Sequence, residues 1–123
     1  MKKGSIYVKI TGYYPSDSPE EGGYEDCAGN PLRTLSDYDR NSDDNNYVSL
    51  AVDPNVIAKG CLINIDGFED EDGEPILFYA CDVGGAIKGY HVDICCGSEQ
   101  QTYNVDSDDN EVELTIVGFQ ELY

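Results

Sequence analysis

The sequence predicts a mainly β domain closed into a small barrel, and three observations carry that reading. Apolar and polar residues alternate over short runs, and Gly, Pro, Asn and Asp clusters bound those runs. Helical periodicity is almost absent. Six such runs in a 123-residue chain would leave two unpaired edges in an open sheet, and closure removes them.

The runs are 5–13, 47–52, 61–65, 76–81, 91–95 and 112–119. Leu77-Phe78-Tyr79-Ala80-Cys81 is continuously apolar, and His91-Val92-Asp93-Ile94 alternates as a half-buried strand does. One short helix is expected at 54–58, because Pro54 suits a first helical position and Asp53 can cap it. Residues 26–37, which contain Pro31, are expected as an ordered loop. No repeat or linker divides the chain, so 1–123 is expected as one domain with one core.

Composition excludes several partners. A formal charge of -18 opposes nucleic acid, whose binding rests on cationic neutralisation of phosphates. It opposes anionic membrane surfaces as well. No stretch of 18 apolar residues exists, so no membrane-spanning helix is expected. Met1-Lys2-Lys3 opens a segment without the apolar run of a signal peptide. A mature fragment, another export route or action inside the producing cell all fit that start.

The acidic runs at 39–46, 69–74 and 106–113 are expected as solvated loop tips. Neither of two candidate calcium loops has the EF-hand pattern. The run ending at Gly73 starts on Phe68, and the run from Asp106 has Glu111 and Val117 where Gly and Glu are required. Five cysteines form no CxxC pair and only His91 could join them, so no metal site is expected. Cys61, Cys81, Cys95 and Cys96 read as buried, reduced thiols. A Cys95–His91 nucleophile pair is excluded, because four strand residues span about 13 Å.

The segment from Cys81 to Ile94 carries the chemistry. A strand ends on Asp82, Gly84-Gly85 forms a tight turn where positive φ is expected, and Asp93 sits on the next strand. The turn can bring two carboxylates to one rim, as acid–base chemistry requires. Aspartates at turns also serve local hydrogen bonding, and the spacing alone does not separate the two roles.

Asp82-Val83-Gly84-Gly85-Ala86-Ile87-Lys88-Gly89, followed by Asp93, resembles the signature of the 3D domain, named for three aspartates. That domain occurs in the catalytic barrel of murein lytic transglycosylase A and in many short cell-wall and phage proteins. Upstream, Leu50-Ala51-Val52-Asp53-Pro54-Asn55-Val56-Ile57-Ala58-Lys59-Gly60 is similar to the family block around its first aspartate. Thr11-Gly12-Tyr13-Tyr14 resembles its opening strand, and Glu21-Gly22-Gly23 and Asp26 are weaker echoes of the loop after it. The resemblance spans about residue 7 to residue 97. Ala58 departs from a usual proline, and Cys95-Cys96 from usual aromatic or aliphatic residues.

The resemblance implies a six-stranded double-psi β-barrel with acidic surface loops and one or two short helices. It implies a peptidoglycan lytic transglycosylase acting on glycan strands without a cofactor. Asp93 would be the general acid and then the base, and Asp82 a partner whose like charge keeps Asp93 protonated. Asp53 would hold a loop or position the sugar. Thr11, Tyr13, Gly84, Gly85, Lys88 and Tyr90 would meet substrate. Of the ten tyrosines, Tyr13 and Tyr90 are singled out because they lie in the matching blocks. The domain would act at the cell wall or periplasm, or in a phage or secretion assembly. Rival readings are an expansin-like glycan binder and a virion structural part. An aspartic peptidase would need two Asp-Thr/Ser-Gly turns, and only Asp82-Val83-Gly84 approaches one.

Overall fold

In the computed structural model, which describes residues 4–15 and 24–120, all six expected strands form. They are β1 (Ser5–Tyr13), β2 (Val48–Ala51), β3 (Cys61–Ile65), β4 (Phe78–Asp82), β5 (His91–Cys95) and β6 (Val112–Phe119). Glu21-Gly22-Gly23 lies outside the described residues. The strands close into a barrel in the order β1-β5-β2-β4-β3-β6, the mainly β, six-stranded architecture expected of a double-psi barrel.

β1 runs parallel to β5 and antiparallel to β6, which returns to β3 to complete the ring. β2 lies between β4, parallel, and β5, antiparallel. The Gly-Gly segment is therefore a crossover that passes β2, since the strands on either side of it are not neighbours.

The core follows the two-residue period of the strands. Val8 and Ile10, Val48 and Leu50, Ile63 and Ile65, Phe78 and Ala80, and Val92 and Ile94 point inward and are buried. Phe68 packs edge-on against Phe78 with ring centroids 5.7 Å apart. Truncating a fully buried side chain such as Phe78 to alanine costs about 3–5 kcal/mol. Alternation places Thr11 and Asp93 on the opposite face from Ile10, Val92 and Ile94.

One irregularity in β4 matters for the site. Val48, Ser49 and Leu50 pair with Phe78, Tyr79 and Ala80, but Ala51 pairs with Asp82. Cys81 is the extra residue of a bulge, which re-aims the side chain that follows it. Without the bulge Asp82 would share the inward face of Ala80. With it, Asp82 joins the face of Ala51.

The expected helix at 54–58 is a single turn. Asp53 O accepts from both Val56 N and Ile57 N at 2.9 Å, and no further helical bond follows. The helix lies elsewhere, as α1 (Glu99–Val105). Ser98 caps it by accepting from Gln101 N at 3.1 Å. Gln101 Oε1 accepts from Gly97 N at 2.8 Å and from the Ser36 hydroxyl at 2.9 Å. α1 lies directly on β1 at Gly12, where a Cβ would fall 2.7 Å from Val105 Cγ2 and 2.8 Å from Thr102 Cα.

Two of the acidic loops are cross-linked rather than simply solvated. Arg40 reaches Asp70 at 3.6 Å, Asp72 at 3.2 Å and Glu74 at 4.0 Å. Cys61, Cys81, Cys95 and Cys96 are buried free thiols, as expected, and Cys27 is exposed. Burial pushes Cys81 up to about 11 and Cys95 and Cys96 up to about 12, which keeps them protonated. No helix among the described residues is long and apolar enough to cross a membrane.

Candidate active site

Parallel pairing of β1 with β5 sets Thr11 opposite Asp93, and antiparallel pairing of β2 with β5 sets Ala51 opposite Asp93. Since Ala51 also pairs with Asp82, the ends of β4, β2, β5 and β1 bring both aspartates to one place. A cavity of about 550 Å³ opens there. Asp82 and Asp93 line it together with Tyr13, Tyr14, the Gly84–Ile87 turn and the α1 residues Glu99, Thr102 and Tyr103.

Asp93 is half-buried, and its Oδ1 accepts the Thr11 hydroxyl at 2.9 Å. Removal from water pushes its carboxyl up to about 6. The Thr11 bond opposes that rise, and the charges of Asp82 and Asp106 add to it. The family resemblance implies that the like charge of Asp82 keeps Asp93 protonated. Burial is the larger cause.

Asp82 is held more firmly. Its Oδ1 accepts from Val83 N at 2.9 Å and Cys27 N at 3.0 Å. Burial raises this carboxyl, those two N–H donors lower it, and beyond them Asp26 raises it while Lys59 lowers it. The Cys27 bond docks the 25–31 loop onto the site. Asp26, itself buried, shapes that loop by accepting from Ala28 N and Asn30 N at 2.9 and 3.0 Å.

The third aspartate stands apart. Asp53 does not line the cavity; its carboxylate accepts from Gly89 N at 2.8 Å and Asn55 N at 3.0 Å. Those donors hold it below the usual carboxylate range. Of the two expectations for this residue, its geometry matches the holding of a loop: it ties the end of the β4–β5 crossover to the end of β2.

The glycines differ from expectation. Neither Gly84 nor Gly85 takes a positive φ; Gly89 does, at 72°. Gly84 O accepts from Ile87 N at 3.0 Å, which closes a turn with Gly85 and Ala86 at its tip. This turn keeps the ordinary backbone region, and the left-handed residue is needed where the chain swings Gly89 N toward Asp53. A Cβ at Gly84 would fall 2.9 Å from Ile87 Cγ1, whereas at Gly85 it would meet nothing within 4 Å. Gly85 thus presents bare backbone to open space.

Lys88 and Tyr90 are exposed and outside the cavity. Tyr13 is at the cavity, its hydroxyl buried without a hydrogen-bond partner among the described residues. Burial drives that phenol far above its usual value. Tyr14 and Tyr103, not Tyr90, offer exposed rings at the rim. Glu99, Thr102 and Tyr103 were missed with the helix that carries them. The available signal was the cap spacing Ser98-x-x-Gln101, because a two-turn helix burying only Val105 leaves no apolar period.

Comparison with known families agrees with this geometry. The family model described as the 3D domain matches residues 48–117. Comparison with curated proteins returns no match. The matched segment runs from the start of β2 into β6 and holds Asp53, Asp82 and Asp93, while β1 with Thr11 and Tyr13 lies before it. Since that segment is more than half of the chain, the protein belongs to the 3D domain family.

Proposed function

We propose that this domain is a peptidoglycan lytic transglycosylase in which Asp93 serves as general acid and then as base. The family is associated with lytic-transglycosylase-like cell-wall enzymes. The observation that carries the reading is a half-buried Asp93, raised to about 6, on the wall of a cavity that also holds Asp82.

The chemistry needs one carboxyl that starts protonated. Asp93 gives its proton to the glycosidic oxygen as the C1–O4 bond between N-acetylmuramic acid and N-acetylglucosamine breaks. The resulting carboxylate then takes the proton of the muramic C6 hydroxyl while O6 bonds to C1. The product is a 1,6-anhydro end, no water is consumed, and Asp93 finishes protonated. Both carboxylates favour the positive charge that develops at C1. Tyr14 and Tyr103 offer faces for sugar rings, and the bare backbone at Gly85 leaves room for one to lie close. Asp53 and Gly89 fix the loop that ends the crossover.

On this reading the partner is the glycan strand of the cell wall, reached in the periplasm or from a phage particle. Digestion of purified sacculi followed by mass analysis of released muropeptides tests it. Anhydro ends are the expected result. Reducing ends would make the domain a hydrolase, and binding without release would make it a wall-binding module.

A further inference from the structure

The lone histidine of the chain sits one hydrogen bond from the proposed acid. Thr11 Oγ1 lies 2.8 Å from His91 Nε2 and 2.9 Å from Asp93 Oδ1. The strands dictate this bridge. His91 and Asp93 are two residues apart on β5 and so share one face, and the parallel register puts Thr11 beside them on β1.

A hydroxyl has one proton to donate. When Asp93 is ionised, Thr11 donates to it and accepts from Nε2–H. When Asp93 is protonated on Oδ1, that O–H donates to Thr11, and the Thr11 proton needs a new acceptor. Val92 O, at 3.5 Å, is a poor one. His91 Nε2 is well placed once the ring carries its proton on Nδ1.

We propose that His91 is a positioning residue for Asp93: through the Thr11 hydroxyl it accepts or donates in step with the proton on the carboxyl. His91 thereby satisfies the chain in both states of the acid, before and after the proton leaves. His91 does not line the cavity, so it acts on substrate only through Asp93. The catalytic consequence rests on the transglycosylase reading above; the linkage itself does not.

Several charged groups face this chain. Lys9 on β1 pairs with His91 and, after burial, lowers its pKa, while Asp106 beyond α1 raises it. Asp82 on β4 and Asp106 act on Asp93. The Cys96 thiol is nearby, and burial keeps it protonated. Glu99 on α1 lines the same cavity as Asp93. A substitution at His91 removes a titrating group as well as a hydrogen bond, so one variant cannot separate the two.

A pair of neutral variants can. His91→Phe keeps a flat ring and removes both roles; His91→Gln keeps a donor and an acceptor. Both lack the imidazole charge, so their difference isolates the hydrogen bond. In His91→Phe both states lose a partner of Thr11, but only the protonated acid is left with an O–H that has no good acceptor, so the alkaline limb of kcat/KM moves to lower pH. Activity at pH 7 falls about tenfold, on the scale of one lost hydrogen bond to an ionising group, with KM and melting temperature little changed. His91→Gln restores the limb. In a Thr11→Val background, His91→Phe and His91→Gln give the same profile.

The proposal is overturned if the Phe and Gln profiles coincide in the presence of Thr11, or if their difference survives in Thr11→Val. A readout free of activity is the Asp93 carboxyl carbon, followed by NMR across pH in the same variants. Its midpoint should fall in His91→Phe and recover in His91→Gln. If no muropeptide is released but the midpoints move this way, the transglycosylase reading fails and the linkage stands. If cleavage occurs and the midpoints do not move, the linkage fails and the reading stands.

Discussion

Asp82 and Asp93 face each other across Ala51, each paired with it from the opposite side. Two strand spacings separate their backbones, about 9.6 Å. At that spacing the side chains converge over the cavity as neighbours, and the charge of Asp82 ranks behind burial in raising Asp93. The pair therefore differs from a dyad in which two touching carboxyls divide one proton.

Asp93→Asn should abolish glycan cleavage and stabilise the fold at neutral and alkaline pH. The folded Asp93 carboxyl is raised from its ordinary 3.8 to about 6. Between those values the folded state holds a proton that the unfolded chain gives up, so stability falls as pH rises through that window. Asparagine has no such cost. The variant should gain up to about 3 kcal/mol at pH 8, at about 1.4 kcal/mol per unit, and almost nothing at pH 4. Urea melts at the two pH values measure this. Equal destabilisation at both would place the role of Asp93 in packing.

Asp82→Asn should slow cleavage strongly and move its alkaline limb only slightly. On the proposed mechanism, activity requires protonated Asp93 and is lost as pH rises through its pKa. Loss of the Asp82 charge lowers that pKa, so the limb shifts down, but burial remains and holds most of the rise. A pH profile of kcat/KM decides the matter. A limb that returns to the ordinary carboxylate range would put like charge ahead of burial.

Gly85→Ala should leave the melting temperature within a degree or two and weaken muropeptide binding at least about tenfold, since the new methyl occupies space a sugar would need. Gly89→Ala should do the reverse. Its φ of 72° strains an L residue by about 1–2 kcal/mol. Calorimetry and a binding titration on both variants separate the roles. Normal binding by Gly85→Ala would remove the crossover turn from the site.

Gly12→Ala should unseat α1. The added carbon meets Val105, Thr102 and the Cys96 sulfur at 2.7–2.9 Å, and two of these neighbours belong to the helix that walls the cavity. Overpacking of this kind typically costs 1–3 kcal/mol. Amide exchange should speed up over residues 99–105 while β3 and β6 stay protected. Uniform protection would show that the helix accommodates the methyl by sliding.

The strands were legible because each buries one face, which writes a two-residue period into the chain. Four of them, β1, β3, β5 and β6, coincide end to end with expectation. The aspartates were legible through the Asp82–Asp93 block, whose spacing survives in a single chain. What could not be read was anything fixed by another segment. The setting of Asp93 depends on β1, whose Thr11 holds its carboxyl, and on α1, which lines the same cavity. The bridge between Thr11 and His91 needs the β1–β5 register, which joins residues 80 positions apart. The Gly-Gly pair misled because glycine permits a positive φ without requiring it. Gly89, which does require it, ended the same motif unnoticed.

The face of a strand residue is a matter of odd and even. Asp82 is an even step from Ala80, which is inside, yet it stands outside with Ala51 because Cys81 adds one to the count. Excision of Cys81 would bring Asp82 next to Ala80 and leave it outside, because one step from an inward residue is outward. Loss of the bulge with Cys81 kept would do the opposite. Cys81 would take the place opposite Ala51, and Asp82 would turn to the inner face of Ala80, where an ion has no water. The extra residue thus keeps a site carboxylate from becoming a fault in the core, with no chemical group gained or lost.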